Sequence, residues 1–236
     1  MHSFKPLLLI LLSSLIGLSN CYAQKQRTIN QPAYDNGTIH FGFSLGISTY
    51  SFKIEPYAGL AQSDSVYTID SNPTKGYTIG IVSDMKLTKR LNLRFIPTLS
   101  YTQRNLDYTI HYPSSGKKEL VSKTVESTFV DFPFNLKYKS DRFVNGRAYV
   151  LGGIKFSIDM ASQQKVDDVS IFKLRSADVY WEIGFGTDFY FEYFKLSPEL
   201  KFSLGNRNVL VDDESLYTSG IKKLRSRCVL FSLNFE

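Results

Sequence analysis

From Ile39 onward the chain alternates apolar and polar positions, the period of a strand with two unlike faces. In the first run Ile39, Phe41, Phe43, Leu45 and Ile47 share one face, opposite His40, Gly42, Ser44, Gly46 and Ser48. The second sets Tyr77, Ile79, Ile81, Met85 and Leu87 against Gly76, Thr78, Gly80, Asp84 and Lys86. The third sets Leu93, Phe95, Leu99 and Tyr101 against Arg94, Thr98, Ser100 and Arg104. The fourth opposes Phe132, Phe134, Leu136 and Tyr138 to Asp131, Asn135 and Lys137. The fifth opposes Ala148, Val150, Ile154, Phe156 and Ile158 to Arg147, Tyr149, Lys155 and Asp159. In the sixth, Val179, Trp181, Ile183, Phe185, Phe189 and Phe191 oppose Asp178, Glu182, Gly184, Gly186 and Asp188. In the seventh, Phe194, Leu196, Leu200, Phe202 and Leu204 oppose Lys195, Glu199, Lys201 and Ser203. In the eighth, Val229, Phe231, Leu233 and Phe235 oppose Ser226, Cys228, Ser232 and Asn234.

Alternation fits a soluble barrel with its apolar face inward as well as a membrane barrel with that face outward. Three features favour the membrane. The apolar face is bulky in nearly every run, while the other mixes Gly and Ser with full charges, as a narrow filled lumen requires. Each run is about ten residues or slightly longer, the length of a tilted membrane strand. The connections also alternate in length. Short turns near Thr88–Arg90, Ser140–Gly146 and Glu192–Tyr193 are expected at the periplasmic end; longer stretches near Lys53–Thr74, Leu106–Lys123, Ala161–Ser176 and Arg207–Lys222 are expected outside. The fold class expected is therefore all-β: an antiparallel up-and-down transmembrane β-barrel of about eight strands, its polar lumen filled by side chains.

Tyr77, Tyr101 and Trp181 fall at the outer end of the apolar face, and Tyr138, Phe191, Phe194 and Phe235 at the inner end, as an aromatic girdle requires. Pro97, Pro133 and Pro198 lie inside runs and predict local bulges, because a closed barrel has no free edge to absorb a missing N–H.

The first residues add a secretory signal. Lys5, an apolar run from Leu7 to Ile16 and small residues before Cys21-Tyr22-Ala23 predict cleavage after Ala23. That run is too short to span as a helix, and Asn20 is a poor fit to a lipoprotein box at Cys21. The predicted organisation is a cleaved signal peptide over 1–23, a polar tether or short plug over 24–38 and the barrel over 39–236. Cleavage removes one Lys and no acid, so the net charge falls from +6 to +5, and Cys228 is left without a partner for an internal disulfide.

The inward faces collect Asp84, Asp131, Asp159, Asp178, Glu182, Asp188 and Glu199 with Lys86, Arg94, Arg104, Lys137, Arg147, Lys155, Lys195 and Lys201. Near equality of sign predicts a neutralised ion-pair network, and a structural plug is favoured over a polar pore or proton path. His40 and His111 have no second His or Cys at ligand spacing, and no Ser–His pairing is evident, so no metal, cofactor, small-molecule substrate or catalytic group is assigned. Lys222, Lys223, Arg225 and Arg227 form the strongest basic cluster. Nucleic acid is excluded as its partner for want of interleaved aromatics; lipopolysaccharide phosphate and plain solvation both stay open.

Two segments resemble a known family. Tyr34-Asp35 with Ile39-His40-Phe41-Gly42-Phe43 and Leu45-Gly46 resembles the start of PorT proteins, also called SprT. Tyr193-Phe194-Lys195-Leu196-Ser197-Pro198-Glu199-Leu200-Lys201-Phe202-Ser203 resembles their penultimate strand. Phe132–Tyr138 and Tyr149–Gly153 fit outer-membrane barrels at large. The resemblance implies an outer-membrane component of the type IX secretion system, in some bacteria with gliding motility, touching membrane lipid and other secretion components. It carries over no catalytic residue. The alternatives are a barrel that binds lipopolysaccharide or adheres through its outer loops, and an outer-membrane lipid hydrolase.

Overall fold

The computed structural model describes residues 28–57, 66–112, 117–162, 174–211 and 221–236. A short 3-10 turn at Tyr34–Asn36 precedes ten strands: β1 (Ile39–Pro56), β2 (Val66–Asn72), β3 (Thr74–Lys86), β4 (Leu91–Phe95), β5 (Thr98–Tyr112), β6 (Lys117–Lys139), β7 (Gly146–Asp159), β8 (Ala177–Tyr190), β9 (Lys195–Gly205) and β10 (Ile221–Phe235). Every pairing is antiparallel: β1 pairs β3 on one side and β10 on the other, β2 and β3 pair β5, β4 pairs β3 and β6, and from β5 to β10 each strand pairs the next. The circuit of pairings therefore returns to its start. Pro73 divides β2 from β3 with a one-residue change of register against β5 (Asn72↔Asn105, then Gly76↔Thr102), and Ile96-Pro97 divides β4 from β5, so the ten strands make eight staves.

The exterior is apolar and the interior polar, the inverse of a soluble barrel. Phe41, Ile81, Ile183, Phe185 and Phe231 are exposed, whereas Ser48, Arg94, Ser100, Ser127 and Asn234 are fully enclosed. No helix among the described residues is long and apolar enough to cross a membrane, so any crossing is made by strands. Both termini of the barrel lie at one end, with the tight turns at 87–90, 140–145 and 191–194. That is the periplasmic end by the rule that inner turns are short and outer loops long.

None of the three prolines produces the expected bulge. Pro133 pairs with Lys155 and Pro198 with Leu233 in unbroken register. Pairing lapses at Ile96-Pro97, yet the register is the same on both sides of the lapse, and the Ile81 N–H still donates to the Pro97 carbonyl (3.1 Å). In an antiparallel ladder a residue's N–H and C=O point to the same neighbour. Proline thus removes one bond of a pair and leaves the other. Register shifts occur instead between Glu55 and Pro56, near the outer end of β1, and between Val66 and Thr68 in β2.

The outer connections also differ from expectation. β1 continues through Lys53 to Pro56, β2 fills part of 53–74, and β5 and β6 stay paired from Leu106↔Lys123 to Tyr112↔Lys117. His111 consequently lies in a strand rather than a loop. The 23 residues of β6 far exceed the 9–11 or so that cross a bilayer, so this hairpin stands well outside it. It is held by a second core within the barrel's outer end: Phe52, Leu106, Tyr108, Leu174, Val209, Leu210, Ile221 and Leu224, with Ile54, Ile69, Val121 and Val125 against them. The lumen is therefore polar only over its inner and middle parts. The inward positions turn apolar toward the outside, where no ion pairs are needed to fill the space.

Candidate functional site

Every lumen residue expected from the sequence is buried except Lys86, which is half-buried. The buried ones comprise seven acids and seven bases, and two residues not anticipated, Lys139 and Glu236, keep the signs equal. Arg94 is the hub of the inner part. Its guanidinium grips Asp84 through Nε (3.0 Å) and Nη2 (2.7 Å), and it reaches Glu199 at 2.8 Å and Glu236 at 2.9 Å. A planar fork with five donors suits three carboxylates in one enclosed space. Lys137 lies 2.9 Å from Asp188 and 3.7 Å from Asp84, with its ammonium 3.8 Å from the Tyr149 ring centroid. Arg147 adds a contact to Asp188 at 3.6 Å.

Above the hub, Lys155 sits between Asp131 (3.7 Å) and Glu182 (3.8 Å), and Lys201 lies 3.4 Å from Glu199. Asn135 and Ser203 donate to Glu182 at 2.9 and 2.7 Å. Nearest the apolar outer core, Arg104 pairs with Asp159 at 3.3 Å and lies over the rings of Phe52 and Phe129. Asp178 is buried, but no ion pair joins it to another described residue; its Oδ1 accepts the Val179 N–H at 2.8 Å. Lys86 donates to the Asp35 carbonyl at 2.6 Å and so serves the N-terminal segment instead of the network.

Glycine gives the network room at a specific place. Gly186 pairs across the sheet with Tyr149, and a Cβ there would stand 2.4 Å from the tyrosine oxygen. The bare backbone lets the ring lie over it and point its hydroxyl at Glu199 (2.8 Å).

The inner mouth is occupied by the chain's own N-terminal segment. Tyr34 stacks on His40 with ring centroids 4.0 Å apart and donates to Glu236 at 3.0 Å. Glu236 also accepts from Lys195 at 2.8 Å, so the last residue of the sequence folds inward as a lumen acid. Asp35 receives Arg147 at 2.6 Å, and burial, which raises its pKa, is more than offset by Arg147 and Lys139, leaving the carboxyl below its ordinary value. Arg142 spans the rim, donating to the carbonyls of Asn30 and Gln31 while lying 3.7 Å from the Tyr190 centroid. In the sequence Tyr34 is marked only by the PorT-like segment, and nothing there assigns Lys139, Arg142, Tyr190 or Glu236 to the mouth. Their roles come from which turns meet at the mouth, and periodicity carries no signal of that.

On the exterior, Tyr77, Tyr101, Tyr138, Trp181, Phe191 and Phe194 are exposed, and Tyr77 and Tyr101 are cross-strand neighbours. Phe191 stacks on Phe194 (4.9 Å) and Phe235 on Phe43 (4.7 Å) at the inner edge. Lys222, Lys223 and Arg227 are exposed on β10, with Arg225 intermediate. No group of three His, Cys, Asp or Glu able to hold a metal occurs among the described residues.

No curated protein matches the chain. Among solved structures, Neisserial surface protein A is similar over 84% of this chain and 98% of its own at 11% identity and a TM-score of 0.43. The N-terminal β-barrel domain of Pseudomonas aeruginosa OprF is similar over 83% and 100%, at 17% identity and a TM-score of 0.31. Ail of Yersinia pestis, in complex with the heparin analogue sucrose octasulfate, is similar over 84% and 97%, at 10% identity and a TM-score of 0.37. The model of the outer membrane protein beta-barrel domain matches residues 22–210, most of the chain and most of the staves just described, and the chain belongs to that family.

Proposed function

We propose that the chain is exported by a signal peptide cleaved after Ala23 and acts as a non-enzymatic accessory or docking component of type IX protein secretion. The observation that carries the accessory role is the filled lumen. An eight-stranded barrel is just wide enough for its own side chains, and here charged residues fill the inner and middle lumen, apolar ones the outer end, and Tyr34 and Asp35 the inner mouth. A folded cargo has no way through. Placement in type IX secretion rests on the two PorT-like segments. Tyr34-Asp35 from the first seats the N-terminal segment, and Lys195 and Glu199 from the second belong to the lumen network. Partners in the periplasm would meet the three tight turns and the seated segment; partners outside would meet the long hairpins.

The test is gene deletion with a complemented control, followed by comparison of exported proteins bearing C-terminal sorting domains. Cargo held in the periplasm supports the role, and normal secretion contradicts it. A barrel for adhesion or lipopolysaccharide binding is the second reading, favoured by the exposed basic positions on β10. Loss of adhesion with secretion intact selects it. A lipid-A profile altered by the deletion would instead support the hydrolase.

A further inference from the structure

We propose that the outward face of the β10–β1 seam, at Lys53, Arg225 and Arg227, binds the phosphate groups of an outer-leaflet glycolipid. Along β10 the outward column reads Phe235, Leu233, Phe231 and Val229, then changes at one step to Arg227, Arg225 and Lys223. The inward neighbours Leu224, Ser226 and Cys228 are buried, so the basic residues are exterior and not part of the lumen. On β1 the partners of Arg227, Arg225 and Lys223 are Ser51, Lys53 and Glu55. Lys222 is the extra residue at the register shift and stands outside this column.

The height of the cations fits the ligand. A strand advances about 7 Å per outward residue, or about 5 Å along the membrane normal when tilted by roughly 40°. Arg227 therefore stands about 5 Å above Val229, the last apolar side chain, within a headgroup layer of about 5–8 Å per side, and Arg225 stands about 10 Å above it, just beyond that layer and within reach of it along its own side chain. Trp181 lies two staves away in register with Arg227 through Leu204, within about 6 Å of its height at that tilt, and it is 59% exposed. An exposed indole on a barrel exterior belongs at the interface.

Charge supplies the second argument. Lys53 and Arg225 are direct cross-strand partners, and like charges so placed destabilise a ladder. Glu55 answers only Arg225, at 3.6 Å and with both side chains 35% exposed, a geometry in which an ion pair contributes little. No described acid pairs with Lys53 or Arg227. Two unrelieved cations beside a guanidinium, one within the headgroup layer and the others at its outer edge, form a place for phosphate oxygens, to which Arg can donate in pairs. Asp212, Asp213 and Glu214 precede β10 in sequence and lie outside the described residues; neutralisation of the patch by these acids is the competing outcome.

The test uses the full-length mature chain refolded in neutral detergent, with Trp181, the chain's one tryptophan, as the fluorescent reporter. Bisphosphorylated lipid A, its dephosphorylated counterpart and soluble heparin are titrated separately. Phosphorylated lipid A is expected to bind at least about tenfold more tightly than the dephosphorylated form, with Lys53→Gln and Arg225→Gln each weakening it about tenfold. Arg225→Lys, which keeps the charge but loses the paired donors, should fall between the parent and Arg225→Gln, and Arg90→Gln, at the opposite rim, should bind as the parent does. Lys53→Gln should also melt at or above the parent temperature without lipid, since it relieves the opposed charges. If Lys53→Gln loses the β circular-dichroism signature, Arg227→Gln is read in its place. Equal affinity for the two lipid A forms, or variants that bind like the parent, would overturn the proposal. Heparin binding in place of any preference for phosphorylated lipid A would transfer the site to a free polyanion.

Discussion

Arg94 concentrates more of the lumen's electrostatics than any other single side chain described here, because three carboxylates from β3, β9 and the C-terminus converge on its one guanidinium. Taking one partner out of a buried ion pair leaves charge uncompensated in low dielectric, which costs roughly 3–5 kcal/mol. Arg94→Met is therefore expected to lower unfolding stability by about that much, measured by denaturant titration in detergent. Adding Asp84→Asn to it should cost far less than the sum of the two single changes, because the pair is coupled. Gly186→Val is expected to displace the Tyr149 ring and its bond to Glu199, destabilising the barrel while Gly152→Ala, where an added Cβ meets only the Glu182 carbonyl at 3.7 Å, is tolerated. Cys228 is 3% exposed and faces inward, so a membrane-impermeant maleimide should label it only after unfolding. Alternation alone placed Arg94 and its acids on one side of the sheet. Which acid meets which base depends on stave register, so the hub itself was not legible.

At the scale of elements, the staves were legible and their ends were not. Strict alternation of bulky apolar residues with Gly, Ser and charge has few solutions, and the exterior and interior faces follow from it directly. The outer hairpins read as loops in the sequence because their inward positions, such as Leu106, Tyr108 and Val125, continue the alternation among polar residues that suggest solvent. The prolines misled in the other direction, since a closed ladder tolerates a missing donor where the partner's own donor is kept. Leu106→Ala should cost about 2–5 kcal/mol, seen first as faster amide exchange in β5, β6 and β10 near the outer end. The N-terminal segment responds to pH with a definite sign. Asp35 has a folded-state pKa below its ordinary carboxylate value, so its contribution to seating is complete above that value and is lost as pH falls through the depressed one. Amide exchange of residues 28–37 is thus expected to stay slow from neutral pH to about pH 4 and to quicken only in stronger acid. Asp35→Asn should quicken it at neutral pH as well.

The whole molecule is a membrane-facing cylinder with a neutral, ion-paired interior, an apolar outer core and an N-terminal segment lodged in its inner mouth. Each feature works against transport and in favour of a rigid platform. The exterior is ordinary for a bilayer solvent, apolar in the middle with aromatic side chains toward both edges. Function on such a scaffold is carried by what the two ends present to their surroundings. The most direct test of the sealed barrel is conductance in a planar bilayer of the protein purified from the outer membrane. A sealed lumen predicts no stable current steps over a range of voltages, and the same silence when Asp35→Asn loosens only the N-terminal segment, because the network behind it still fills the bore. Reproducible steps from the parent protein would show a water-filled path through the network and contradict the sealed lumen on which the accessory role depends.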